Sequence, residues 1–335
     1  MIKNKVLVTL ANENYLEQAK QVFSGAYFKA GWTGDMLLLT HEISEDKLSW
    51  FRERKILIKN CSPITVERTN GKWPAVVLDK YYIFTEEFKK WDKVIFLDAD
   101  TIIRKPLTDL ENVIGFGAIT SHKHFSSLWL NKLHMFLEGI NQSPLKELKT
   151  KYDFQTKSFN TGVLAFSTDI IKPTTFLDLV NITNKYFSIS ASGEEAILNI
   201  HFYKQWQELS ELYNFYPDFV IPEAKLKPSE IEAYILHFII NKPWIPTSPF
   251  YQEWKNGLLL ADQIGIIEAP KDFTKIFNAS EYLQKVNKRR KKYFYNRYLL
   301  LLLLKIDKII GLLGLLLKKI SPKLYRSIKK TLCHQ

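Results

Sequence analysis

The stretch KVIFLD, residues 93–98, constrains the fold more than any other part of the chain, because four apolar residues run without polar alternation and stop at a carboxylate. A run this short and wholly apolar reads as a strand covered on both faces, as in a mostly parallel sheet with helices on either side. The residues before it repeat the theme. KVLVTL (5–10) predicts a first strand, and the stretch after it has apolar positions 15, 16, 19, 22, 23 and 26 at helical spacing. DMLLLT (35–40) and KILIK (55–59) predict two more strands. In WPAVVLDKYYIFTEEF (73–88), Pro74 suits a first helical turn, and Val76, Val77, Lys80, Tyr81 and Phe84 share one face. This β-α-β-α order predicts an α/β fold with a mostly parallel, doubly wound central sheet flanked by helices.

Asp98 and Asp100 follow the apolar run directly. Ligands of doubly wound sheets bind beyond the carboxyl ends of strands. On an extended chain residues 98 and 100 point the same way, so their like charges repel unless a cation lies between them. Mg²⁺ or Mn²⁺, hard ions that accept one or two carboxylates plus phosphate oxygens, would suit that place. The plainer alternative is that Asp100 caps the next turn and Asp98 is solvated.

Two later stretches add to this pair: SFNTGVLAFS (158–167), a strand opened by Asn160 and Gly162, and ILHFIINKPW (235–244), a strand ending in His237 before a Lys-Pro-Trp turn. Taken in order, Thr9, Leu10, Asn12 and Tyr15; Asp98, Ala99 and Asp100; Phe159, Asn160, Thr161 and Gly162; Glu194 and Glu195 ahead of Leu198 and Asn199; and His237, Phe238, Lys242, Pro243 and Trp244 match an ordered motif set. In this the chain resembles the family 8 glycosyltransferases, the group of glycogenin and the bacterial lipopolysaccharide galactosyl- and glucosyltransferases, over about residues 5–250. The resemblance implies a GT-A type nucleotide-sugar-binding fold. It also implies retaining transfer of a hexose from a UDP-linked sugar to a glycan or lipid-linked acceptor, in cell-surface polysaccharide or lipopolysaccharide synthesis. By the same resemblance Asp98, Asp100 and His237 hold Mn²⁺ (or Mg²⁺). Thr9, Leu10, Asn12, Tyr15, Lys80, Ala99, Asn160, Gly162 and Lys242 line the donor, with Lys242 toward its diphosphate. Glu194, Glu195 and Lys80 lie at the reacting centre.

The chain departs from the family pattern in two places. Glu194 and Glu195 stand where many members have Asp-Gln, so position 195 offers a carboxylate in place of an amide. Ile240 or Asn241 replaces a glycine common between the late histidine and Lys-Pro-Trp. Two rival readings are an HAD-type phosphatase, which VIFLDADTI fits although its second motif is missing, and a catalytically weak, membrane-bound sugar-nucleotide-binding protein. The segment 121–157, with His122, His124, Trp129 and His134, is expected to form the acceptor side, its histidines binding nothing.

The net charge of +12 is not a nucleic-acid signature, because of where it lies. Residues 285–335 hold fifteen Lys or Arg against Asp307 alone, a local net of +14, so residues 1–284 carry −2. We therefore expect a catalytic domain over 1–284, a basic helical tail over 285–335, and no nucleic-acid partner. The apolar run 298–317 is interrupted by Lys305, Asp307 and Lys308. Fourteen Leu or Ile contribute roughly −4 to −8 kcal/mol to insertion against about 8 to 10 kcal/mol for three central charges, so spanning is not favoured. Arg297, Lys305, Lys308 and Lys319 fall within an arc of about 80° at 100° per residue, opposite a leucine face. Such a helix is expected to lie in the interface of an anionic membrane, on its cytoplasmic side. Two cysteines, Cys61 and Cys333, build no disulfide framework and suit a reducing compartment. The first fifteen residues read as a strand and not as a cleavable leader.

Overall fold

The computed structural model of the chain describes residues 4–66, 73–121, 133, 142–270 and 277–321. Strands β1 (Lys5–Asn12), β2 (Asp35–His41), β3 (Leu57–Cys61) and β4 (Lys93–Leu97) form parallel neighbours in the order β3-β2-β1-β4. Beyond β4 the sheet continues with β7 (Phe159–Ser167), antiparallel to both its neighbours, then β6 (Phe116–Thr120) and the short β8 (Gln207–Glu208). A second sheet pairs β5 (Thr101–Ile103) with β9 (Ile235–His237). The sheet is thus mostly parallel, as read from the sequence; β6 and β8 were not anticipated, and the two residues of β8 are too few to show a periodicity.

All five residues of β4 are buried, which explains the absence of polar alternation. On one face Val94 and Phe96 join Val6, Val8, Leu37 and Leu39 under Leu78, Tyr81 and Phe84. On the other, Ile95 and Leu97 join Leu7 and Leu38 under Ala19, Val22, Phe23 and Ala26 of the helix Leu16–Ala30. That helix stops at Gly31, whose φ of 61° lies in the left-handed region that glycine enters without Cβ strain.

The expected helix over 73–88 is instead a 3₁₀ helix, Ala75–Phe84, followed by a second, Glu86–Lys90. Of its fully buried apolar residues Leu78, Tyr81, Ile83 and Phe84, three recur at the 3₁₀ spacing of three, while Val76 and Val77 are only half-buried. The apolar run from 235 forms a strand of three residues only, because the backbone turns after His237.

The chain divides into two compact units, Met1–Pro222 with Leu226–Ala279, and Glu223–Lys225 with Ser280–Gln335. The second is dominated by the helix Ala279–Ile320, on which Tyr295, Tyr298, Leu299, Leu312, Leu315 and Leu316 are exposed. The side chains of Lys305 and Lys308, on which the basic stripe rests, lie outside the described residues, as does 322–335. Among the described residues no helix is long and apolar enough to cross a membrane. Most of the expected acceptor segment, including His122, His124, Trp129 and His134, also lies outside the described residues.

Candidate active site

β4 ends at Leu97, and Asp98 to Asp100 form a turn, not a continuation of the strand. Alternation therefore does not bring the two acids together; the turn does. Asp98 N donates to Gly162 O at 2.9 Å, Thr101 Oγ1 donates to Asp98 O at 2.8 Å, and Phe238 N donates to Asp100 O at 3.1 Å. The reversal feeds β5, whose Thr101 pairs across from His237 of β9. One ligand atom each of Asp98, Asp100 and His237 then lies within 4.8 Å of the others.

This donor set fits a hard divalent ion: two carboxylates and one imidazole. Asp100 Oδ1 is buried without a hydrogen bond and faces His237 Nε2 at 3.2 Å. Gly162 makes room for the ring, since a Cβ built there would lie 2.2 Å from His237 Cε1.

Two lysines balance the acids. Lys242 Nζ donates to Asp100 Oδ2 at 2.6 Å and to Phe238 O at 2.6 Å. Lys80, buried on the 3₁₀ helix, lies 3.1 Å from Asp98 and 2.7 Å from Glu194, and also donates to Thr161 O and Oγ1 at 3.2 Å. Burial opposes its charge, yet Asp98 and Glu194 hold the ammonium above its usual pKa. Lys80 is therefore not a surface lysine.

Glu194 and Glu195 open the helix Glu194–His201, where the macrodipole favours acids. The entry turn is fixed by Gly193, at φ 59°, whose missing Cβ leaves room for the ring of Trp73. Asn199 stitches this helix to β7, accepting from Phe159 N and donating to Phe159 O, each at 2.8 Å. Glu195 is buried, accepting from Ser121 Oγ at 2.9 Å and from Asn160 Nδ2 at 2.6 Å, and burial together with the charge of Glu194 pushes its pKa up to about 7.

At the end of β1, Asn12 accepts from Asn14 N at 3.1 Å and Tyr15 meets Trp244 edge-on, ring centroids 5.8 Å apart. Thr9 is wholly buried in the strand and Leu10 half-buried, so of these four only Asn12 and Tyr15 lie at its carboxyl end. Where the family glycine is replaced, Asp218 takes up the loop's amides: Oδ2 accepts from Ile240 N at 3.1 Å and Asn241 N at 3.3 Å, and Oδ1 from Asn241 Nδ2 at 2.8 Å. Asp218, Ser121 and Asn214, the partner of His237 Nδ1 at 2.7 Å, had no motif to mark them.

Glycosyl transferase family 8 matches residues 7–247. Among curated proteins, glycosyltransferase GlyB of Streptococcus pneumoniae is 28% identical over 271 residues, covering 69% of this chain and 60% of its own length. Glycosyltransferase GlyA of the same organism is 24% identical over 172 residues, covering 48% of this chain and 20% of its own. The chain thus spans less than two thirds of either relative, 60% of one and 20% of the other. Among solved structures, galactosyltransferase LgtC in complex with donor and acceptor sugar analogues superimposes with a TM-score of 0.56 at 15% identity, over 84% of this chain and 99% of that one. Apo GlyE of S. pneumoniae gives 0.55 at 21% identity, over 80% and 66%.

Proposed function

The chain belongs to glycosyl transferase family 8, and from that premise we propose that it transfers a hexose from a UDP-linked donor to a glycan or lipid-linked acceptor, with retention of anomeric configuration. The observation that carries the reading is the convergence of Asp98, Asp100 and His237 beside Lys242, at the carboxyl end of a central strand. A divalent ion held by the three, Mn²⁺ or Mg²⁺, supplies positive charge against the leaving diphosphate. Lys242, now on Asp100, is the chain's own cation for that phosphate. Lys80 fixes Asp98 and Glu194 relative to one another, and Asn160 and Ser121 hold Glu195 by both oxygens. The C1–O bond to the diphosphate breaks, an acceptor hydroxyl oxygen bonds C1 on the same face, and the hydroxyl proton passes to the departing diphosphate. In this reading residues 1–284 are the catalytic domain, and residues 285–335 hold the enzyme as a peripheral protein on the cytoplasmic side of an anionic membrane, where lipid-linked acceptors of cell-surface polysaccharide or lipopolysaccharide lie.

A screen of UDP-, GDP- and CMP-sugars for hydrolysis, with Mn²⁺ and with EDTA, tests this. We expect turnover of a UDP-hexose that EDTA abolishes. Donor binding without turnover would favour the weak-binder reading, and an inverted product would end the retaining assignment.

A further inference from the structure

We infer that Asn214 is a positioning residue that fixes the tautomer of His237 and thereby turns a ring lone pair toward Asp98 and Asp100; the inference rests on the reading of those three residues as a metal centre. The assignment starts from a group whose role is fixed by its chemistry. The backbone N–H of Gly162 donates to Asn160 Oδ1 at 2.9 Å, so that atom is an oxygen. Asn214 meets the same oxygen at 2.9 Å and must do so with its NH₂, whose other hydrogen goes to Tyr216 OH at 2.9 Å. Asn214 Oδ1 is then what faces His237 Nδ1 at 2.7 Å, and an amide oxygen only accepts. His237 Nδ1 therefore carries a proton. In a neutral imidazole this leaves Nε2 bare, 3.2 Å from Asp100 Oδ1, a contact between two lone pairs that a cation would relieve.

The surroundings enforce the arrangement. Asn214 is wholly buried, Asn160 and His237 nearly so, and turning either amide over would set oxygen against oxygen or N–H against N–H. The other end of the same chain of amides donates to Glu195 Oε2, so one rigid network, begun by a glycine N–H, orients both the imidazole and the carboxylate at position 195. Loss of such an outer hydrogen bond to a ligating histidine typically weakens metal binding 10- to 100-fold.

The test uses the full-length chain. In metal-free protein the ¹⁵N shifts of the His237 ring, assigned by their loss in His237→Gln, should show a protonated Nδ1 and an unprotonated Nε2. Asn214→Leu should lose that single pattern and bind Mn²⁺, followed by the EPR signal of the free ion, about 10- to 100-fold more weakly. Asn214→Asp, whose carboxylate still accepts from Nδ1 although its other oxygen now meets Asn160 Oδ1, should keep the tautomer and bind Mn²⁺ more tightly than Asn214→Leu. A protonated Nε2 in the wild-type protein overturns the inference. So does a folded Asn214→Leu with unchanged tautomer and Mn²⁺ affinity, or, should that variant not fold, an Asn214→Asp that loses the Nδ1–H tautomer. If the wild-type protein binds no Mn²⁺ while the tautomer is as stated, the metal reading fails and the role of Asn214 toward His237 stands.

Discussion

Gly162→Ala perturbs the centre by a single methyl. The added Cβ would lie 2.2 Å from His237 Cε1, 2.7 Å from Nδ1 and 3.0 Å from Asn160 Oδ1. Reaching an ordinary 3.4 Å contact requires the ring to retreat by about 1.2 Å, the difference between the two distances. It has little space, being buried with Tyr216 at 5.4 Å between ring centroids. Overpacking of this kind costs about 1–3 kcal/mol, and a broken buried bond to Asn214 about 1–3 more. At roughly 2–4 °C per kcal/mol for a domain of this size, the melting temperature should fall by about 4–24 °C. Displacement of Nε2 by about 1 Å should also weaken Mn²⁺ binding by tenfold or more. Gly162 does not adopt a positive φ, so alanine is acceptable to the backbone and the strain belongs to the histidine. Combining Gly162→Ala with His237→Ala should therefore recover much of the lost stability, a coupling that thermal melts of the four proteins measure directly. Wild-type melting of Gly162→Ala, or strict additivity in the cycle, would refute the packing argument.

Asp98→Asn or Asp100→Asn should abolish turnover with the fold intact by circular dichroism; full activity in either, or in excess EDTA, would remove the metal from the mechanism. Glu195→Gln should change the rate by less than about tenfold, or 1.4 kcal/mol of barrier, because Ser121 Oγ can accept from the new amide while Asn160 still donates to its oxygen; a trapped glycosyl adduct on Glu195 would make it a nucleophile instead. Because the carboxyl's pKa in the folded state is raised to about 7, its contribution to stability is present at low pH and lost as pH rises through 7, on the order of 3 kcal/mol. Urea melts from pH 4.5 to 8 should show that decline flattened in Glu195→Gln. A chain ending near residue 284 should hydrolyse free donor yet lose transfer to membrane acceptor. Full-length protein should bind anionic vesicles, each Lys or Arg near the surface adding about 1 kcal/mol, and be only partly released by salt; failure to bind would end the membrane reading.

The parts of the fold legible in the sequence were those with long-range consequences for hydrophobicity. β4 could be read because its four consecutive apolar residues, Val94 to Leu97, are covered on both faces, and Asp98 and Asp100 stood out against them. The 3₁₀ character of Ala75–Phe84 could not, because its apolar residues suit a spacing of three or of 3.6 over so short a span. Among site residues, acids and lysines could be picked out by their charge and by resemblance. Asn214, Ser121 and Asp218 could not, since a buried amide, a hydroxyl and a surface carboxylate declare their roles only through partners 23, 74 and 22 residues away. Gly162 was legible as part of a motif but for another reason: the sequence suggested a donor-facing position, whereas the structure has an imidazole filling the space a side chain would take.

The charges at the site also bear on the order in which it can be used. Without ligand, Lys242 satisfies Asp100 Oδ2 and leaves Oδ1 unbonded, so the aspartate is only half neutralised. On the metal reading, a cation drawn to Asp98, Asp100 and His237 would compete with Lys242 for Asp100, and the released ammonium would take an anion such as a diphosphate. Each ligand would then remove a cost of binding the other, and their affinities would be coupled by the same factor in both directions. Lys80 has no such freedom: buried between Asp98 and Glu194, it would leave two carboxylates without their cation if it moved. One lysine is held as a fixed brace and the other is poised to exchange partners, which is the asymmetry a site needs if it is to stay assembled while its ligands come and go.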